Sequence, residues 1–146
     1  MDFVVIGGVC ATLHGAPVTT FDLDIVHSRC PESLRRLQTA LRVLDAFYRE
    51  KPEHKIRPMA RDLAGPGHHL LMTCAGPLDI LGSVVSGEGY DELKGQSVEL
   101  LVGDGLRVPV LRLDRLIDLK EQLGRERDRA VLPILRRTWQ QQSEDL

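Results

Sequence analysis

The sequence predicts a mixed α/β (α+β) fold, in which helices pack on a mixed β-sheet and a pair of helices ends the chain. Three observations favour this class. Strand and helix patterns alternate at the start, two hairpin patterns occupy the middle, and two amphipathic helical patterns close the sequence. The length of 146 residues suits a single domain, residues 1–146, that can bury one core.

The first half of the chain predicts two strands and two helices. Residues 3–6 are β-branched and aromatic and end at Gly7 and Gly8, and a short helix then runs to Gly15. Residues 21–27, "FDLDIVH", predict the second strand. A long amphipathic helix follows, entered through Pro31, with apolar residues three and four positions apart. These apolar residues are Leu34, Leu37, Leu41, Leu44 and Phe47.

The second half predicts a loop, two hairpins and two helices. Residues 49–67 are charged and rich in Pro and Gly, which predicts a surface loop with at most one short strand near residues 55–57. Residues 68–84 predict a hairpin about Gly76 and Pro77, and residues 97–111 predict another about Gly103 to Gly105. Helices are expected at residues 113–123 and at about 125–142, separated by Gly124.

Composition limits the compartment and the partners. With 19 basic and 21 acidic residues, the net charge of −2 provides no overall basic field for nucleic acid or a membrane surface, although a local basic groove remains open. The three cysteines, Cys10, Cys30 and Cys74, are odd in number and widely spaced, which favours reduced thiols. No apolar run approaches the roughly 20 residues of a membrane span, and no leader pattern is present. We therefore expect a cytoplasmic protein.

Two acids lie inside the second predicted strand. Asp22 and Asp24 are two positions apart, so their side chains leave one face of the strand with Cα atoms roughly 6.5–7 Å apart. Two like charges about 4–5 Å apart in an effective dielectric near 20 repel by about 3–4 kcal/mol. A hard divalent ion such as Mg²⁺, which prefers carboxylate oxygens, would offset that repulsion. Alternatively, Asp22 caps a loop and Asp24 lies on a solvated face.

A third acid occupies a similar setting in the first hairpin. Asp79, in "GPLDILG", is a single carboxylate flanked by apolar residues on a predicted strand. If this strand lies beside the one carrying Asp22 and Asp24, three carboxylates gather at one edge of the sheet. Such a trio can hold two metal ions for a phosphoryl displacement. The alternative is an acid on an edge strand that points to solvent.

Two further features could serve a phosphate-containing ligand. Gly7 and Gly8 end a strand and open a helix, so that backbone N–H groups can face an anion, although neither a P-loop nor a G-x-G-x-x-G pattern is present. Lys120 and Asp128 each fall on the apolar stripe of a C-terminal helix and so point inward. Either they form an ion pair, or Lys120 reaches a triphosphate while Asp128 orients it.

Other catalytic chemistries have little support. His68 and His69 are adjacent and so point to opposite faces of a strand, and with His14 they lack zinc-like spacing. No Ser-His-Asp order with a nucleophile elbow is present. Cys10 and Cys74 stay open as reactive thiols. The arginines of the last helical segment are typical of a solvent-exposed face, or alternatively could guide an RNA acceptor. They are Arg125, Arg127, Arg129, Arg136 and Arg137.

Together these motifs resemble a known superfamily. "IGGVCATLHGAPVTTFDLDIV" resembles the opening motif of the nucleotidyltransferase superfamily that includes DNA polymerase beta and kanamycin nucleotidyltransferase. "GPLDILG" resembles its strand with the third carboxylate. "LIDLKEQLGRERDRAVLPIL" resembles the closing segment of a minimal nucleotidyltransferase branch that includes abortive-infection toxins of toxin–antitoxin pairs. The resemblance covers nearly the whole chain in the right order and implies the nucleotidyltransferase fold.

The resemblance also implies roles for individual residues. Asp22, Asp24 and Asp79 would bind metal, and Asp79 would act as the base for the acceptor hydroxyl. Gly7 and Gly8 would cradle the triphosphate. Lys120 would contact phosphate with support from Asp128, and Thr20 matches the threonine that precedes the acid pair. The implied cofactor is Mg²⁺, with Mn²⁺ as an alternative, and an NTP such as ATP is the substrate.

The chain departs from the family pattern at three positions. Many relatives have an arginine where this chain has Val18, so a phosphate or acceptor contact is missing. Gly8 replaces the serine of the Gly-Ser branch. Relatives usually have a helix before the first strand and this sequence starts without one, which would favour a homodimer.

Two functions are therefore expected. The first is a metal-dependent nucleotidyltransferase that moves NMP from an NTP to a hydroxyl of an RNA such as tRNA, a protein or a small molecule. The second is a non-catalytic protein of the same fold that binds a cognate partner, as in a toxin–antitoxin pair.

Overall fold

The described part of the chain forms one seven-stranded mixed sheet with helices packed against it. The computed structural model describes residues 1–145. The strands are β1 (Phe3–Ile6), β2 (Leu23–His27), β3 (Phe47–Tyr48), β4 (His68–Thr73), β5 (Gly76–Leu81), β6 (Ser97–Val102) and β7 (Leu106–Leu111). The helices are α1 (Gly7–Leu13), α2 (Pro31–Val43), α3 (Ala60–Leu63), α4 (Tyr90–Leu93), α5 (Leu113–Leu123) and α6 (Glu126–Glu144). This architecture confirms the predicted mixed α+β class.

The strand order places distant segments next to each other. Across the sheet the strands follow the order β3-β4-β5-β2-β1-β7-β6. The β2–β5 and β1–β7 pairs are parallel, and the other neighbours are antiparallel. β5 therefore lies directly beside β2, although more than 40 residues separate them along the chain. This adjacency was the condition on which the three-carboxylate site depended.

The long amphipathic helix is confirmed, but its end was predicted too late. Leu34, Leu37 and Leu41 are buried at helical spacing on α2, which begins at Pro31, where the fixed φ of proline suits the first turn. The helix ends at Val43, and Phe47 belongs to strand β3 instead. The chain reverses at Asp45, which has a positive φ of 52°. The sequence prediction extended the helix past this turn because Phe47, which is partly buried, falls at the spacing of the helix's apolar residues.

Three other boundaries differ from the sequence prediction. The short strand expected near residues 55–57 is absent from the described structure, and the strand of this region lies at Phe47–Tyr48. The first hairpin is confirmed, but its turn lies at residues 74–75, and Pro77 is part of β5. Pro77 precedes the first β5 residue that pairs with β2, so its missing N–H removes no bond from that ladder. β2 begins at Leu23, so Asp22 lies just before the strand.

The C-terminal helical pair is confirmed and closes the core. Gly124 has a φ of 60°, in the left-handed region that glycine adopts without strain, and it ends α5 before α6 begins. Leu116 and Leu119 on α5, and Leu132 and Leu135 on α6, are buried. Among residues 1–145, no helix combines the length and apolar character that crossing a membrane requires.

Candidate active site

Two of the predicted acids are direct neighbours across the sheet. Asp24 on β2 pairs in register with Asp79 on β5. Residues at the same register of neighbouring strands project from the same face of the sheet. Parallel pairing therefore places the two carboxylates side by side on one face of the sheet, although 55 positions separate them in the sequence.

Asp22 completes an acidic cluster. One carboxylate oxygen each of Asp22, Asp24 and Asp79 lies within 4.8 Å of the others. The segment that precedes β2 is held by a side chain, since the Thr20 hydroxyl donates a hydrogen bond to the backbone carbonyl of Asp22 at 3.2 Å. The described structure thus brings the three acids together, and the alternatives in which Asp24 and Asp79 point separately to solvent are wrong for it.

The glycine pair lies against this cluster. Gly7 has a positive φ of 71°, and a Cβ at this position would overlap the Asp24 carboxylate. A Cβ at Gly8 would lie 2.5 Å from the hydroxyl oxygen of Thr20. The pair therefore lets the first turn of α1 approach both side chains closely. This packing role is separate from the phosphate contact that the sequence resemblance implies.

Charge crowding perturbs the carboxylates. Burial, with the negative charges of Asp22 and Asp79, raises the pKa of Asp24 to about 7, and Lys120 opposes this shift. Burial and the adjacent Asp79 carboxyl also raise the pKa of Asp22. A raised carboxylate pKa means that the surrounding protein only partly compensates the negative charge. A bound cation would supply the missing compensation.

Arg49 is the site residue that sequence analysis missed. Its Nη1 donates to Asp79 Oδ1 at 2.6 Å and to the carbonyl of Leu71 at 3.0 Å, and its Nη2 lies 4.0 Å from Asp22 Oδ2. The charged composition of residues 49–67 favoured a surface loop, which concealed this inward arginine. The one local signal was the aromatic pair Phe47 and Tyr48 directly before it, which forms strand β3.

The inward pair on the C-terminal helices is confirmed as an ion pair. Lys120 Nζ donates to Asp128 Oδ1 at 3.1 Å, and the Asp128 side chain is fully buried. Arg125 also binds Asp128, with Nε 2.6 Å from Oδ2, although the sequence placed this arginine on a solvated face. Burial acts to raise the pKa of Asp128, but hydrogen bonds from Arg125 and Lys120 outweigh it and hold the pKa at about 2.

The remaining candidate groups lie outside the acidic cluster. His68 is exposed and His69 is buried, as expected for adjacent residues on a strand. His14 donates from Nε2 to the carbonyl of Leu111 at 2.8 Å. Cys10 is fully buried and burial raises the pKa of its thiol to about 12, which argues against a reactive thiolate at this position. Cys74 is an exposed free thiol.

Comparison with solved structures identifies the fold. The chain is similar to the crystal structure of a "putative nucleotidyltransferase" from Thermotoga maritima, with a TM-score of 0.57 and 20% sequence identity. The superposition covers 97% of this chain and 83% of that one. No protein-family model matches the sequence, and no curated protein does. The chain therefore has the nucleotidyltransferase fold that the motif resemblance implied.

Proposed function

We propose that this protein is a metal-dependent nucleotidyltransferase, which transfers NMP from an NTP to a hydroxyl of an RNA, protein or small-molecule acceptor and releases pyrophosphate. One observation carries the proposal: carboxylate oxygens of Asp22, Asp24 and Asp79 lie within 4.8 Å of one another. The nucleotidyltransferase fold of the chain supports it. Three carboxylates this close repel one another unless a cation binds between them, and a bound divalent ion can assist phosphoryl transfer.

The residues of the cluster fit a hard divalent ion. All three donors are carboxylate oxygens, the ligands that Mg²⁺ and Mn²⁺ prefer. The raised pKa of Asp24, about 7, reflects negative charge that burial leaves uncompensated. Asp22, Asp24 and Asp79 would hold the ion, which when bound offsets negative charge on the phosphates of the nucleotide.

The protein's own groups supply positioning and one proton transfer. The acceptor oxygen bonds to the α-phosphorus as the bond to pyrophosphate breaks, and Asp79 takes the proton of the acceptor hydroxyl. Backbone N–H groups of Gly7 and Gly8 face the triphosphate, and Thr20 steadies the segment before Asp22. These contacts keep the reacting groups in line, which supplies much of the rate enhancement in such reactions.

Lys120 serves as a phosphate contact close to the cluster. Its positive charge lowers the pKa of Asp24, and this supports a place for the ammonium group beside the acidic cluster. Asp128 holds Lys120 at 3.1 Å and is itself bound by Arg125. Asp128 is thus a positioning residue for Lys120, and Arg125 in turn fixes Asp128.

A transfer assay with matched acid variants tests this function. The purified protein is incubated with each labelled NTP, Mg²⁺ or Mn²⁺, and total cellular RNA or protein. We expect label transfer that is lost in Asp24→Asn and Asp79→Asn and retained in Asp104→Asn, a control at an exposed acid in the β6–β7 turn. Transfer that persists in both cluster variants would overturn the assigned site.

Val18 favours a second candidate, a non-catalytic protein of this fold that binds a cognate partner such as the other half of a toxin–antitoxin pair. Val18 packs partly buried against the core, and it offers no cation at the position where the resembled family pattern has arginine. The same assay separates the two candidates. Absence of transfer, together with Mg²⁺–NTP binding that is undetectable, would favour the binding partner.

A further inference from the structure

Arg49 is fixed on two sides before it reaches the acidic cluster. Its backbone N–H donates to the carbonyl of Leu70 at 3.1 Å, and Leu70 lies directly opposite Asp79 across the β4–β5 pair. Its guanidinium then donates to the carbonyl of Leu71 at 3.0 Å. The arginine is therefore held in place through strand β4 and does not depend on the carboxylates alone for its position.

The guanidinium points at the acids that would bind a cation. Nη1 lies 2.6 Å from Asp79 Oδ1, and Nη2 lies 4.0 Å from Asp22 Oδ2. The Asp79 side chain is only 14% exposed, and that of Arg49 is 29% exposed, so solvent screens this pair incompletely. The Arg49 guanidinium is charged at physiological pH, as arginine side chains in proteins are.

Hydrogen-bond geometry alone leaves room for both cations on one carboxylate, because a carboxylate has about four lone-pair sites. Charge decides the outcome. A divalent ion bound to Asp22 and Asp79 would lie beside the guanidinium. Two cations that bind the same carboxylate repel each other in a partly screened site. The Arg49 guanidinium thus already places one positive charge beside the carboxylates to which a divalent ion would bring two.

We propose that Arg49 is a built-in counter-cation of the acidic cluster, which competes with the divalent ion for Asp79 and thereby sets the affinity of the site for that ion. In the metal-free protein Arg49 compensates part of the negative charge. Binding of the ion weakens the Arg49–Asp79 hydrogen bond. This inference rests on the proposed metal-dependent function, since it assumes that the same three carboxylates bind the ion.

Mn²⁺ affinity, measured by the loss of the free-ion electron paramagnetic resonance signal at fixed ionic strength, tests the competition. We expect Arg49→Gln to bind Mn²⁺ roughly tenfold more tightly than the wild type, the effect of removing one modest repulsion between cations. Arg57→Gln is the matched control: Arg57 also binds one carboxylate at 2.6 Å, on Asp45, and one carbonyl at 3.1 Å, on Ala46. The control should keep wild-type affinity.

The outcomes separate this inference from the proposed function. If wild-type protein binds no Mn²⁺, or binds it equally well as Asp24→Asn, the proposed metal site is wrong. If the wild type binds Mn²⁺ at this site and Arg49→Gln binds it equally or more weakly, the competition is wrong. Weaker binding would mean that Arg49 orients Asp79 for the ion.

Two further readouts complement the titration. In EDTA, Arg49→Gln should unfold at a lower temperature than the wild type, and Mn²⁺ should raise its midpoint by more. In the wild type, nitrogen NMR should show a rotationally restricted Arg49 guanidinium that becomes freer on saturation with Mg²⁺. A guanidinium signal unchanged by bound Mg²⁺ would overturn the proposal even if Arg49→Gln fails to fold.

Discussion

Replacing Gly7 with alanine should damage both stability and metal binding, because this glycine has two separate requirements. Its φ of 71° is unfavourable for any residue with a Cβ, at a cost of about 1–2 kcal/mol. The new Cβ would also overlap the Asp24 carboxylate, and overpacking in a tight site costs roughly 1–3 kcal/mol. The free energy of unfolding should therefore fall by about 2–5 kcal/mol, out of the roughly 5–15 kcal/mol of a typical domain.

A second glycine separates the two contributions. Gly87 also has a positive φ, of 86°, but nothing lies within 4 Å of a Cβ built there. Gly87→Ala should therefore show the backbone cost alone, and it should bind Mn²⁺ as the wild type does. Urea unfolding measures the difference in stability, and Mn²⁺ titration measures the displacement of Asp24. If Gly7→Ala is destabilised no more than Gly87→Ala and binds Mn²⁺ normally, the close approach of Gly7 to Asp24 is wrong.

The buried ionisable groups outside the acidic cluster give two further tests. Asp128→Asn should lower the free energy of unfolding by about 2 kcal/mol, since it leaves Lys120 and Arg125, which are 19% and 44% exposed, without their shared buried carboxylate. Unchanged urea unfolding would contradict this. Because the folded pKa of Asp128, about 2, lies below its ordinary 3.8, its stabilisation is complete above about pH 4 and is lost as the pH falls towards 2, a dependence that Asp128→Asn should lack. Burial lowers the pKa of both His27 and His69 below 6.5, so the unfolded chain takes up protons first and the contribution of these histidines to stability should fall as the pH drops from 7 to 5. Asp24, whose pKa is raised to about 7, contributes in the opposite direction over the same range, so the wild type is compared with a double His→Gln variant. The variant should be less destabilised, or more stabilised, than the wild type by the drop in pH, and an identical pH dependence would refute the assignment.

Much of the candidate site was predictable because its residues break local patterns. An acid inside an apolar strand is conspicuous at Asp24 and again at Asp79, and an inward charge on an amphipathic helix is conspicuous at Lys120 and Asp128. In each case the periodicity of the side chains, two residues in a strand or 3.6 in a helix, places a charged residue on a face that is otherwise apolar. The ion pair, one of the two alternatives for these inward charges, is present at 3.1 Å.

Residues whose surroundings are polar could not be found in this way. Arg49 lies at the start of a charged, proline-rich segment, and Arg125 lies among other arginines, so neither departs from its local pattern. Only their partners in the folded structure distinguish them. Arg49 binds Asp79, which is 30 residues away in the sequence. Arg125 binds Asp128, because the first turn of α6 brings that carboxylate next to its guanidinium.

The sequence by itself determined the order of the main strands and helices, the glycine turn, and the position of Asp24 and Asp79 on strands. These properties follow from interactions between residues close in the chain, where spacing sets the face and glycine sets the turn. Only the tertiary structure decided that β5 lies parallel beside β2, which places Asp79 next to Asp24, and that Arg49 reaches the same carboxylates. Strand order and the inward position of Arg49 depend on contacts between distant segments, which burial of the whole core selects and local periodicity does not record.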